Sequence, residues 1–217
     1  MSNVLIVAAH PDDEVLGCAC AIQKHKEEGD HVSVLFMSND GVGRYPANQS
    51  LIQRDIQKAQ EILGIDKVYQ ENFIDQGMDI VQLTALISPI EKLVRDNKIN
   101  VVYTHNSNDL NKDHRLSSEA TIIACRPVPG STVTKLLMYW VPSFSELRTA
   151  NNFNPNIGIN AVESLSNKIR AMEAYESELR EFPHPRSSLG LECHAKSFGM
   201  MFGFKAAEAF QLVYDRS

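Results

Sequence analysis

Near its start the chain reads Val4-Leu5-Ile6-Val7-Ala8-Ala9, followed at once by His10-Pro11-Asp12-Asp13-Glu14. The apolar run is unbroken, which is typical of a strand buried on both faces of a parallel sheet. Residues 14–28 then predict a helix, with apolar positions on one side and Gly29 as its end. This order of strand, polar turn and helix indicates an α/β protein.

The same alternation continues through the first half of the chain. We predict strands at 31–37, 67–69 and 101–103, separated by helices at 51–63 and 80–95. Strands separated by helices of this length indicate βαβ units with right-handed crossovers. The prediction is therefore a doubly wound α/β fold of three layers, with a mostly parallel central sheet.

The second half is less regular. Helices are predicted at 113–124, 162–179 and 194–202, strands at 136–141 and 209–213, and an Asn-rich loop at 150–158. The sequence contains no internal repeat, no low-complexity segment and no linker that would divide it. We therefore expect one domain spanning residues 1–217.

Composition restricts the partners and the compartment. The net charge of −6 argues against a nucleic-acid partner, because such proteins concentrate Lys and Arg, and a small polar substrate fits better. The four cysteines form no C-x-x-C pair or disulfide pattern. The apolar residues 4–9 are too few for the apolar region of a signal peptide, residues 1–3 carry no basic residue, and no apolar run approaches the roughly 20 residues of a membrane span. We expect a soluble, cytoplasmic protein without a transmembrane segment.

The polar turn after the first strand is the first candidate site, because ligands of open α/β sheets bind at the carboxyl ends of the strands. The imidazole of His10 and the carboxylate of Asp13 suit a metal such as zinc. Asp12 and Asp13 should point in different directions, so that one binds metal while the other faces water. The alternative is an ordinary helix start with Asp12 as N-cap. This stretch alone favours neither interpretation.

A second polar cluster, residues 104–115, follows the predicted strand at 101–103 and opens a helix. His114 is the natural third ligand, completing a His-Asp-His set with one open coordination position for water. Asn111, three residues earlier, would share a helical face with His114. Asp113 could orient a ligand, whereas His105 is either a supporting residue or a hydrogen-bonded surface histidine.

These motifs together resemble the LmbE/PIG-L family of zinc-dependent N-deacetylases. The resemblance rests on Ala9-His10-Pro11-Asp12-Asp13-Glu14 with Leu16-Gly17, on Asn39-Asp40-Gly41 and on Asp113-His114, and more loosely on the segments 175–179, 183–187 and 207–210. It implies a Rossmann-like fold and removal of acetyl or related acyl groups from amino sugars, such as N-acetylglucosamine derivatives, and their conjugates.

The resemblance assigns zinc to His10, Asp13 and His114, and the role of general base to Asp12. This chain departs from the family at Asn111, where many members carry a histidine that helps to hold the oxyanion. His184 is the candidate replacement for that donor. Two histidines and one carboxylate also suit iron, so iron stays an alternative to zinc.

Three further residues are candidates for substrate binding. Arg44 and Asp40 lie in the polar loop after the second strand, where Arg44 is equally well explained as a solvated loop charge. Arg186 follows His184 in a proline-bracketed segment. Glu208 is as plausible a structural partner for Arg186 as a substrate contact.

Other functions fit the same residues. A thiol-conjugate amidase or a metal-dependent esterase would use the same site, and a non-catalytic sugar-binding module would keep the fold without turnover. The sequence leaves open which amino sugar is bound and whether the chain forms a homo-oligomer.

Overall fold

The computed structural model describes residues 1–38, 49–146 and 153–216. Its strands are β1 (Asn3–Ala8), β2 (His31–Ser38), β3 (Lys67–Phe73), β4 (Val101–His105), β5 (Lys135–Tyr139), β6 (Ile157–Asn160) and β7 (Ala207–Asp215). Its helices are α1 (Asp13–Glu27), α2 (Gln49–Leu63), α3 (Leu83–Asp96), α4 (Lys112–Ala124), α5 (Leu165–Ala174) and α6 (Ser188–Phe202), and a short 3-10 turn, Met78–Ile80, precedes α3.

The seven described strands form one sheet in the order β3-β2-β1-β4-β5-β7-β6. Strands β1 to β5 pair in parallel, whereas β7 runs antiparallel to both of its neighbours. The strand order reverses direction between β1 and β4, so a crevice forms beyond their carboxyl ends. The predicted α/β fold with a mostly parallel sheet is confirmed, and both polar clusters of the sequence lie at this crevice.

Strand β1 is buried on both faces, as its unbroken apolar run predicts. Val4 and Ile6 pack into a core that also contains residues of α1, α2 and α5. Leu5 and Val7 pack into a second core with residues of α3 and α4. These two cores separate the sheet from a helical layer on each side, which gives the predicted three layers.

The second half differs from its sequence prediction. The helix expected at 162–179 ends at Ala174, because Tyr175 leaves the helical conformation with φ −85° and ψ 67°. The helix expected at 194–202 begins earlier, since the Ser187 hydroxyl caps it by accepting a hydrogen bond from the Gly190 N–H at 2.9 Å. The end of the predicted loop 150–158 belongs to β6, an edge strand that the sequence pattern missed.

None of the described helices is both long and apolar enough to cross a bilayer. The prediction that residues 1–217 form a single domain stays a prediction.

Candidate functional site

The turn after β1 holds Asp12 in an unusual backbone conformation. Its φ of 113° and ψ of −28° lie in the left-handed region, which residues with a side chain seldom adopt. Asp12 occupies the N-cap position of α1, yet its carboxylate makes no capping hydrogen bond among the described residues. Instead, Oδ2 accepts a hydrogen bond from Arg186 Nη1 at 2.9 Å. This geometry argues against an ordinary helix cap.

Asp13 begins α1 and points away from Asp12, toward His10. Its Oδ2 accepts a hydrogen bond from the His10 backbone N–H at 2.9 Å and lies 3.4 Å from His10 Nδ1. Asp13 is completely buried and His10 nearly so. The two neighbouring carboxylates therefore have different surroundings, as the sequence predicts.

The second turn brings His114 to the same place. Val4 of β1 pairs with Val101 of β4, so the carboxyl ends of both strands meet at the crevice. Asn111 ends the connecting loop as the N-cap of α4, and its side chain accepts a hydrogen bond from the Asp113 N–H at 2.9 Å. His114 lies in the first turn of that helix and is completely buried.

His10, Asp13 and His114 each offer a ligand atom, and these atoms lie within 4.8 Å of one another. His114 Nε2 is 3.4 Å from Asp13 Oδ1. Tetrahedral zinc with bonds of about 2.0–2.2 Å to nitrogen and oxygen would separate neighbouring ligand atoms by about 3.3–3.5 Å. Asp13 Oδ1 and His114 Nε2 have no hydrogen-bond partner among the described residues. Because buried polar atoms are normally satisfied, this pair fits a metal ion well.

Asp109 lies next to the ring nitrogen of His114 that does not face Asp13. It was not singled out in the sequence analysis. Its Oδ1 lies 3.2 Å from His114 Nδ1, and its Oδ2 accepts a hydrogen bond from the Ser145 hydroxyl at 2.6 Å. Metal-binding histidines usually give their second ring nitrogen to such a carboxylate. The sequence did contain a signal for Asp109, since it is an acidic residue in the same polar cluster, 104–115, as His114.

The Nε2 atom of His10, on the other side of the ring from Nδ1, also faces two carboxylates. Its Nε2 lies 3.3 Å from Asp113 Oδ2 and 3.1 Å from Asp75 Oδ1. His10, Asp75 and Asp113 form a second group of possible ligands that shares His10 with the first. We favour the first group, because two imidazoles suit zinc better than two carboxylates do and because it contains the unsatisfied atoms. In that arrangement Asp113 contacts Nε2 of the candidate ligand His10, and its predicted role in orienting a ligand stays a prediction.

His105 is completely buried and packs against His114, so it does not lie near the surface. Its ring stacks on that of His114 with centroids 4.0 Å apart. Its Nε2 accepts a hydrogen bond from the Ala9 N–H at 2.9 Å and lies 3.0 Å from the Tyr139 hydroxyl. Burial and the nearby charge of His114 lower the pKa of His105 to about 4. A neutral His105 therefore packs beneath the possible ligands.

The three acidic residues of the first turn differ in their acidity. Burial raises the pKa of Asp12, and the neighbouring Asp13 and Glu14 add to this effect while Arg186 opposes it. Burial also acts to raise the pKa of Asp13, but the neighbouring imidazoles of His114 and His105 and the contact with His10 outweigh it and lower the pKa. Burial raises the pKa of Glu14 to about 7. Adjacent carboxyl groups with opposite shifts are suited to different chemical roles.

Arg186 reaches the site from the segment that precedes α6. Besides Asp12, its Nη1 donates to Glu178 Oε2 at 3.1 Å, and its Nε donates to the Ser143 hydroxyl at 3.3 Å. His184 Nδ1 accepts a hydrogen bond from the Arg186 N–H at 3.1 Å, which ties His184 to the same segment. The structure therefore places Arg186 against Asp12, and its binding of substrate stays a prediction.

Two other predictions have a different outcome. Asp40 and Arg44 lie outside the described residues. Glu208 is a structural residue, but its partner is Lys168 rather than Arg186: Lys168 Nζ donates to Glu208 Oε1 at 2.6 Å, and both side chains are buried.

A comparison with protein families matches residues 5–125 to the family described as PIG-L, GlcNAc-PI de-N-acetylase. The chain belongs to the PIG-L family. The uncharacterized deacetylase YaiS of Escherichia coli strain K12 is 29% identical to it over 148 residues, which are 65% of this chain and 75% of that protein. The predicted family and the predicted class of enzyme, a deacetylase, are confirmed.

Two solved structures share the fold. The N,N'-diacetylchitobiose deacetylase of Pyrococcus horikoshii matches with a TM-score of 0.82 and 17% identity, over 98% of this chain and 84% of that one. GalB, the 4-carboxy-2-hydroxymuconate hydratase of Pseudomonas putida KT2440, matches with a TM-score of 0.73 and 20% identity, over 100% of this chain and 98% of that one. Since these two neighbours are named for different reactions, the fold alone does not determine the chemistry.

Proposed function

We propose that this member of the PIG-L family is a zinc-dependent hydrolase that removes the N-acetyl group from an amino sugar or an amino-sugar conjugate. One observation carries the proposal. His10, Asp13 and His114 converge with two unsatisfied buried atoms, and the neighbouring residue Asp12 keeps a separate carboxylate that pairs with Arg186.

His10, Asp13 and His114 would hold the ion, which we take to be zinc, with iron as the alternative. A bound divalent ion supplies Lewis acidity toward the substrate carbonyl and toward water. The chain itself contributes the rigidity of the site, because Asp109 and Asp113 contact the outer nitrogens of His114 and His10.

Asp12 is proposed as the general base. It accepts a proton from the water that attacks the amide carbon and returns a proton to the amine nitrogen when the C–N bond breaks. The products are acetate and the free amine. Arg186 supports this role, because its hydrogen bond to Oδ2 at 2.9 Å orients the carboxylate.

Asn111 and His184 are proposed as donors to the oxyanion. Asn111 uses its side-chain oxygen to cap α4, which leaves its amide nitrogen as the available donor. His184 is held by the Arg186 N–H, so its other ring nitrogen can donate. A single donor of this kind typically contributes about 3 kcal/mol to transition-state stabilisation.

The substrate class is inferred from the family and from the charges around the site. The family is described as GlcNAc-PI de-N-acetylase, and the N,N'-diacetylchitobiose deacetylase shares the fold. Asp40, Arg44 and Arg186 are proposed to bind sugar hydroxyl groups. The location in the cytoplasm and the formation of a homo-oligomer also stay predictions.

The decisive test replaces Asp12 with Asn, which preserves the size of the side chain but removes the base. We expect Asp12→Asn to keep one equivalent of bound zinc while acetate release from N-acetylglucosamine derivatives falls by about 100- to 10,000-fold. Asp55→Asn is the matched control, since Asp55 is also buried and paired with an arginine, Arg54.

Three results would count against the proposal. Normal acetate release by Asp12→Asn would show that Asp12 is not the general base. Cleavage of thiol conjugates or esters in preference to acetylated sugars favours the alternative hydrolases. Metal-free protein that still binds the sugar favours a binding module.

A further inference from the structure

The proposed general base has a backbone conformation that needs support. Asp12 has a φ of 113°. Outside glycine such conformations persist only where the surrounding structure enforces them, and they cluster at functional sites. Arg186 holds the Asp12 carboxylate, and the Asp12 carbonyl accepts hydrogen bonds from the Val15 and Leu16 N–H groups at 3.0 and 2.9 Å. The conformation of Asp12 then depends on the group that binds its own N–H.

Glu14 contacts the Asp12 backbone directly. Its Oε2 accepts a hydrogen bond from the Asp12 N–H at 3.1 Å. Its Oε1 accepts a hydrogen bond from the Tyr175 hydroxyl at 2.7 Å. The side chain of Glu14 thus bridges the turn after β1 and the residue that directly follows α5.

Both members of this bridge are fixed by burial. Glu14 is 1% exposed and Tyr175 is 2% exposed, and the Tyr175 ring packs in the core shared by α1, α2 and α5. A carboxylate held this way has little freedom to move, so the position of the Asp12 N–H is determined by residues far away in sequence. Tyr175 lies outside the family-matched residues 5–125.

We propose that Glu14 and Tyr175 form a positioning pair that holds Asp12 in its left-handed conformation and so aims its carboxylate at the substrate. This inference rests on the proposed function, in which Asp12 is the general base. Neither residue is a catalytic residue, because each acts through the Asp12 backbone.

If Glu14 and Tyr175 act as a positioning pair, variants that keep their hydrogen bonds should differ from variants that lose them. In Glu14→Gln, the amide oxygen can accept from the Asp12 N–H while the amide nitrogen donates to the Tyr175 hydroxyl, which can accept as well as donate. The geometry survives although the charge is lost. Glu14→Ala removes both hydrogen bonds, and Tyr175→Phe removes one of them without changing the packed ring.

The test measures kcat, KM, zinc content and the midpoint of thermal unfolding for these three variants. We expect kcat to fall by about 100-fold in Glu14→Ala and about 10-fold in Tyr175→Phe, since a misplaced group can cost up to about that much. KM and zinc content should stay within about 3-fold of wild type, because only an interaction of the transition state is lost. Glu14→Gln should recover most of the kcat that Glu14→Ala loses.

Two controls separate positioning from a general loss of stability. Tyr69→Phe removes a tyrosine hydroxyl that donates to Asn97 Oδ1 at 3.1 Å in another part of the sheet, and it should leave kcat unchanged. The double variant Asp12→Asn/Glu14→Ala should be no slower than Asp12→Asn alone, because Glu14 acts only through Asp12. A crystal structure of Glu14→Ala should show Asp12 with a changed φ.

Several outcomes would overturn the inference. These are a Glu14→Gln enzyme as slow as Glu14→Ala, a further loss of kcat in the double variant, or an unchanged Asp12 conformation in the Glu14→Ala crystal. Full turnover by Asp12→Asn contradicts the proposed function itself. Full loss in Asp12→Asn together with normal kcat in Glu14→Ala contradicts only the positioning role.

Discussion

Replacing Asp109 tests the proposed metal site without touching a proposed ligand. Its carboxylate faces His114 Nδ1 at 3.2 Å and accepts hydrogen bonds from the Asn111 N–H at 2.9 Å and the Ser145 hydroxyl at 2.6 Å. Burial acts to raise the pKa of Asp109, but the nearby His114 imidazole and the Ser145 hydroxyl outweigh it and lower the pKa. Asp109 is therefore ionised at neutral pH and favours a His114 ring whose Nε2 is free to bind metal.

The three contacts determine the expected magnitude. In Asp109→Asn, the amide oxygen can still accept from the Asn111 N–H and face His114, while the amide nitrogen donates to the Ser145 hydroxyl. Only the charge is lost, so we expect zinc affinity to fall by about 10-fold, at the lower end for residues that orient metal ligands. Asp109→Ala loses all three contacts and should approach about 100-fold, or about 2.7 kcal/mol.

Competition with a chromophoric chelator at fixed pH measures these zinc dissociation constants. Asp55→Asn is the control, because Asp55 is a buried carboxylate paired with Arg54 and belongs to none of the groups of possible metal ligands found among the described residues. Its dissociation constant for zinc should equal that of wild type. A dissociation constant within 2-fold of wild type in Asp109→Ala would refute the role of Asp109 and weaken the assignment of His114 as a ligand.

Two further predictions concern the scaffold around the site, and urea unfolding measures both. A Cβ added at Gly17 would lie 2.2 Å from Tyr139 Cδ2, so Gly17→Ala should lower the free energy of unfolding by about 1–3 kcal/mol; an unchanged value would contradict this contact. Glu208→Ala leaves the ammonium of Lys168 buried without its counter-ion and should cost about 3–5 kcal/mol, whereas the double variant Lys168→Met/Glu208→Leu should cost much less. Equal losses in the single and double variants would show that the ion pair is not the reason.

The fold and the candidate metal ligands could be predicted because their signals are local. An unbroken apolar run indicates a strand covered on both faces, and Val4 to Ala8 are indeed buried from both sides. The ligand candidates follow two such strands, and parallel neighbours bring their carboxyl ends to one edge. The missed strand β6 and the shortened α5 lack such a signal, since an edge strand of four residues and a helix end depend on their neighbours.

The sequence by itself determined the order of strands and helices, the two polar turns and the residue types able to bind a metal, since these depend on periodicity and chemistry within short segments. Only the tertiary structure decided how those groups are supported. Asp109 behind His114, Arg186 on the Asp12 carboxylate and Tyr175 on Glu14 are specific pairings. The last two join residues more than 160 positions apart, and no local pattern encodes a contact that forms only when helices pack across a finished sheet.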